Sequence, residues 1–188
     1  MSDKVSVLGI AGSLRAGSYN RALLRACVEL QPPGMAIEIW DRVGEIPLFN
    51  GDVEAVGDPE PVVDLKAKLA AADGALFVTP EYNTSIPGVL KNLLDWASRP
   101  PSDSPLALLP AGVMGASMGR AGTARAQLAL RSVFVFTRTI PAPLSEVMVA
   151  RAQTLFDEQG RLTDEMTRKI VAGYLVELEA WVRRMRRG

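Results

Sequence analysis

The chain has 188 residues and is 48% hydrophobic, enough for one well-buried core and short for two domains. Its 21 basic residues balance 21 acidic ones, which recommends neither a nucleic-acid partner nor an anionic membrane. It has no histidine, which excludes a Ser-His-Asp or Cys-His nucleophile system and any histidine-based zinc or iron site.

The single cysteine cannot form an internal disulfide, which suits a reducing cytoplasm. Residues 1–4 pass directly into an apolar strand pattern, without the layout of a signal peptide. Apolar runs are broken by Pro or Gly well before the roughly 18 residues a membrane span needs. The expectation is a soluble, cytoplasmic protein with one domain over residues 1–188.

Val5–Ala11 is the first strand pattern, and Tyr19–Leu30 follows as a helix with Leu23, Leu24, Cys27 and Val28 at the 3.6 period. Cys27 therefore reads as a buried small hydrophobe. Pro32, Pro33 and Gly34 end that helix, and Met35–Trp40 reads as a second strand. Residues 41–60 read as a long irregular connection. Residues 61–71 suit a helix with Val62, Leu65 and Leu69 on one face, and residues 74–79 (GALFVT) a buried parallel strand.

A helix over residues 87–98 comes next, then a turn-rich break, a strand over 106–116, a helix over 122–136 and a strand near 146–149. The last helix is expected over 163–187, its Arg-rich end matched to the negative C-terminal dipole. Strand–helix alternation implies a parallel sheet with helices on both faces and right-handed crossovers. Five strands suit the flavodoxin-like α/β order 2-1-3-4-5, a three-layer sandwich whose ligands bind beside the carboxyl ends of the strands.

The loop after the first strand reads Gly12-Ser13-Leu14-Arg15-Ala16-Gly17-Ser18-Tyr19-Asn20. Gly12 and Gly17 have Walker A spacing, but Ser18 and Tyr19 stand where Lys and Ser/Thr belong. The dinucleotide pattern fails too, because the glycines fall at 9, 12 and 17, and Asp41 is a weak match to the acid that ends the second strand. What is left is a loop of short donors, Ser13, Ser18 and Asn20, with helix-start N–H groups and Arg15. It suits a lone terminal phosphate, or simply helix capping by Ser18 or Asn20.

The loop after the third strand, Thr79 to Gly88, offers Tyr82 and Asn83 to a flat heteroaromatic ligand. Ser85 and Pro87 fit the start of the next helix. Glu81 reads as a structural hydrogen-bonding group or, less simply, a general acid without a second carboxylate.

GSLRAGSYN together with TPEYNTSIPGVLKNLLDW resembles the NADPH-dependent FMN reductase family of flavodoxin-like quinone, chromate and azo reductases. The likeness extends to the GASMG turn at 115–119 and the FDEQG segment at 156–160. The resemblance implies that Ser13, Arg15, Ser18 and Asn20, with backbone from Leu14 through Gly17 to Tyr19, hold the FMN phosphate. It places Pro80, Glu81, Tyr82 and Asn83 along the isoalloxazine ring and Ser117 at its far edge or at the ribityl chain. Arg120 and Arg125 read as contacts for nicotinamide nucleotide phosphates, subunit bridges or surface charges.

The implied activity is hydride transfer from NADPH or NADH through FMN to a small acceptor such as a quinone, ping-pong in one shared pocket. No catalytic side chain and no metal is called for; the flavin carries the chemistry. A flavin electron carrier is the rival, although such carriers tend to be acidic. The family implies a homodimer or homotetramer. Leu128 to Phe136 is apolar enough for burial against a partner, or for a fully buried core helix.

Overall fold

A computed structural model describes residues 4–186, so residue 187, the expected end of the last helix, lies outside the described residues. In chain order the main elements are β1 (Val5–Ala11), α1 (Tyr19–Leu30), β2 (Met35–Trp40), α2 (Gly51–Glu54), α3 (Glu60–Ala71) and β3 (Gly74–Val78). They continue as α4 (Gly88–Ala97), β4 (Pro110–Ala116), α5 (Ala124–Thr137), β5 (Ile140–Pro141), β6 (Val147–Val149) and α6 (Glu165–Arg186).

The strands pair in parallel in the order β2-β1-β3-β4-β5, with β6 also on β4. This is the flavodoxin-like arrangement. The fifth position is divided: Ile140 and Pro141 run beside Pro110 and Ala111, and Val147 to Val149 beside Met114 to Ala116.

Alternate residues of each central strand feed two cores. Val5, Val7, Leu76, Val78 and Met114 pack under α1 and α6, with Leu23, Cys27, Leu175 and Leu178. Leu8, Ile10, Ala75, Phe77 and Val113 pack under α3, α4 and α5, with Leu65, Leu90, Trp96 and Phe134. A strand buried on both faces has no polar side to alternate, which is why β3 is uniformly apolar.

Three departures from the sequence reading have physical causes. Residues 106–109 are a turn, because Leu108 takes a left-handed backbone (φ 63°) and its N–H donates to Arg138 O at 2.8 Å. The connection over 41–60 contains α2, one turn capped by Asn50, whose Oδ1 accepts from Asp52 N at 2.9 Å. The cationic end of α6 is tied to other segments as well as facing its own dipole. Arg183 bonds Glu179 (2.8 Å) and Gly34 O (3.0 Å), and Arg186 reaches Asp73 (3.2 Å). These contacts lie before β2 and β3, at the end of the sheet remote from the ligand loops. Among the described residues no helix is long and apolar enough to cross a membrane.

Candidate functional site

Three loops converge where β1, β3 and β4 end. The first is fixed to the sheet by Gly12 N, which donates to Val78 O at 2.9 Å. Ser18 caps α1: its Oγ accepts from Asn20 N (3.2 Å) and Arg21 N (3.4 Å). Asn20 is buried and turns inward, bonding both the N–H and the C=O of Ala116. The Tyr19 ring packs on Phe156 with centroids 5.5 Å apart, which ties the 156–160 segment to this loop.

The second loop is a tight reversal. Tyr82 and Ser85 exchange both backbone hydrogen bonds at 3.0 Å, and Asn83 (φ 49°) and Thr84 (φ 65°) are left-handed. That geometry is unusual for a β-branched threonine and holds Tyr82 half exposed beside the first loop. Glu81 faces the start of α5. Its Oε2 accepts from Arg125 N (2.9 Å) and Ala126 N (3.2 Å), and Oε1 lies 3.3 Å from the Arg125 guanidinium. The carboxylate thus satisfies orphan N–H groups at the positive end of a helix dipole.

In the third loop Ser117 N donates to Val149 O at 2.9 Å, and Ser117 Oγ accepts from Gly119 N at 3.1 Å. Gly115 is required just before it, since a Cβ there would lie 2.1 Å from Thr79 O.

Between the loops is a cavity of about 200 Å³. Of the residues singled out in the sequence, Ser13, Arg15, Ser18, Tyr19 and Asn20, with Pro80, Glu81, Tyr82 and Ser117, line it. Leu14, Gly17 and Asn83 do not: Leu14 faces a different cavity, Gly17 has open space around its Cα, and Asn83 is at the exposed turn. Ala116 and Met118 also line the cavity and were not singled out, although both belong to the 115–119 turn. Arg125 is committed to Glu81, and Arg120 is exposed.

The donor set fits a phosphate monoester. Among the described residues, the backbone N–H groups of residues 13–17 and of Tyr19 have no protein acceptor. The Ser13 hydroxyl and Arg15 guanidinium add to this row at the start of α1, the geometry that binds anions without a metal. Tyr82 and the exposed Met118 flank the opening with apolar surface for a planar ring.

The profile of the family described as NADPH-dependent FMN reductase matches residues 5–154. The chain is 53% identical over 186 residues to an NAD(P)H-dependent FMN reductase of Pseudomonas aeruginosa, covering 99% of this chain and 100% of that one. It is 38% identical over 183 residues to a quinone reductase of Pseudomonas putida, covering 97% of each. The solved structure of FerB, a flavoenzyme NAD(P)H:(acceptor) oxidoreductase of Paracoccus denitrificans, superposes with a TM-score of 0.88 at 31% identity, over 96% of this chain and 98% of that one. The chain belongs to the NADPH-dependent FMN reductase family and is an oxidoreductase that works with FMN and a reduced nicotinamide nucleotide.

Proposed function

We propose that residues 1–188 act as one domain that holds FMN between the three loops and reduces a quinone, or a similar small acceptor, at the expense of NADPH or NADH. The observation that carries this reading is the run of N–H groups over residues 13–17 without a protein acceptor, in a loop whose Ser13 and Arg15 share one cavity with Tyr82 and Ser117. FMN, when bound, supplies the redox chemistry, accepting hydride from the nicotinamide and passing electrons on.

The chain's own residues bind and orient. The N–H row, Ser13, Ser18 and Arg15 take the phosphate; the peptides of Pro80 to Tyr82 and of Ala116 to Met118 border the ring. Glu81 shapes the second loop by anchoring it to α5 and moves no proton. An open cavity whose one lining carboxylate, Glu81, is committed to the start of α5 matches ping-pong exchange of nicotinamide and acceptor at one face.

Assembly as a homodimer or homotetramer is part of the reading. The outward face of α5 leaves Leu128, Val135 and Phe136 exposed at 61%, 81% and 85%, so the helix is not a buried core helix and has apolar surface for a second copy. A cytoplasmic setting agrees with a lone cysteine that is buried.

Purified protein saturated with FMN is expected to show flavin absorption, to release FMN on heating, and to oxidise NADPH with benzoquinone with parallel double-reciprocal lines. Absence of flavin bands after FMN is added would overturn the binding reading; intersecting lines would overturn the ping-pong order.

A further inference from the structure

A second cavity, of about 270 Å³, lies on the other side of the first loop, between α1 and the carboxyl end of β2. Its apolar walls are Leu14, Ile39 and Val43. Leu14 is 52% exposed yet leans on the 43–45 turn, its Cδ2 only 3.1 Å from where a Cβ on Gly44 would be. Arg21 and Arg25, one turn apart on α1, line the same cavity, and Asp41 lines it from the end of β2.

The charges here are uncommitted. Arg42, Arg125, Arg161, Arg168, Arg183 and Arg186 all have carboxylate partners. Among the described residues, the guanidinium groups of Arg21 and Arg25 and the carboxylate of Asp41 have neither an ion pair nor a hydrogen bond. Two cations at i and i+4 repel each other, and an anion between them removes that repulsion.

We propose that this cavity is a second small-molecule site, taking a one- or two-ring aromatic with a single carboxylate or phosphate. The rings rest on Leu14, Ile39 and Val43, the anion meets Arg21 and Arg25, and Asp41 accepts a hydroxyl or N–H of the ligand. Size decides against a whole dinucleotide: the volume falls just under the range of about 300–1,000 Å³ that holds drug-sized ligands. The proposal goes beyond the flavin reading and stands on different side chains.

The test is a titration of the ¹⁵N-labelled full chain, saturated with FMN, by 1-naphthoate, 1-naphthyl phosphate and uncharged 1-naphthalenemethanol. Amide shifts are expected at residues 11–14, 21–25 and 39–43 and at the Trp40 indole, which also lines the cavity. At least one anion binds about tenfold more tightly than the alcohol, the value of one charge-assisted contact. Which anion wins distinguishes a carboxylate ligand from a phosphate ligand.

The double variant Arg21→Gln/Arg25→Gln erases the difference between anion and alcohol, whereas Arg15→Ala leaves it in place. Equal affinities for the three probes, unchanged affinity in the double variant, or shifts confined to Tyr82 and residues 116–118 would overturn the proposal. Failure of FMN to bind is read separately from the flavin spectrum, and the shift map still says which cavity the probe occupies.

Discussion

The Asn20 carboxamide and the Ala116 peptide face each other in a closed pair of hydrogen bonds, Nδ2 donating to the carbonyl and Oδ1 accepting from the N–H, both at 2.8 Å. The pair joins the start of α1 to the end of β4 and so sets the spacing of the first and third loops. Asn20→Ala leaves two buried backbone groups unsatisfied and is expected to cost about 1–3 kcal/mol. Urea midpoints check the stability loss, and a flavin-fluorescence titration is expected to show weakened FMN binding alongside it.

Glu81 offers a test of role. If it anchors α5, Glu81→Gln retains an acceptor oxygen and turnover stays within about threefold, against the 10²–10⁴-fold loss that removing a general acid brings. Glu81→Ala removes the anchor and is expected to lower stability by about 1 kcal/mol, the usual cost of a lost cap. Steady-state NADPH oxidation and thermal melts separate the two roles.

Arg15 is exposed and has no partner among the described residues, so the fold does not depend on its charge. Arg15→Ala is expected to weaken FMN by about 1.5–3 kcal/mol, the range for a charge-assisted hydrogen bond, with riboflavin affinity unchanged. A ratio of FMN to riboflavin affinity that does not move would show that the arginine is no phosphate ligand.

Burial pushes the Cys27 thiol up to about 12 from its ordinary 9.0. Between those two values the unfolded chain has lost the proton that the folded chain keeps. Stability therefore falls as pH rises, by about 1.4 kcal/mol per unit, and is unaffected by this group below the lower value. Tyr174, also pushed up to about 12 by burial, from 10.0, adds to the loss at still higher pH. Urea midpoints followed upward from about pH 8 are expected to decline above the thiol's free value, and the first part of that decline flattens in Cys27→Ala.

The exposed apolar face of α5 predicts a change of assembly without a change of fold. Val135→Asp with Phe136→Asp replaces two outward side chains and is expected to alter the isolated chain's stability by no more than about 0.5 kcal/mol each, as at other surface positions. Gel filtration at micromolar concentration is expected to show the wild type larger than this variant. A wild type that elutes as a monomer removes the assembly reading.

How far the sequence was legible follows from where each piece of information resides. β1, α1 and β2 begin and end where periodicity, Pro33 and Gly34 place them, because burial on one or two faces is written into local spacing. Leu106 to Leu109 misled because an apolar run carries no sign of the left-handed backbone at Leu108, which depends on a hydrogen bond to Arg138 thirty residues on in the chain. Ile140 and Pro141 are too few to show a period at all. In the site, the donors of the first loop were readable from composition. The inward turn of Asn20 was not, since its partner is 96 residues away, nor was the use of Leu14 as a wall of another cavity.

The divided fifth strand has a consequence for solubility. Each open sheet edge is a template on which another chain can add a strand, and repulsion between copies is the first defence against it. With a formal net charge of zero, this chain has little of that repulsion to draw on. One edge is instead broken into two residues and three, with Pro141 in the first piece and Pro143 just after it, so no continuous ladder of donors is presented. The other edge, β2, carries Glu38, held by Lys68 at 2.6 Å, in the middle of its run. Both edges of the sheet thus carry a barrier to strand addition, interruption at one and a central charge at the other, that does not depend on overall charge.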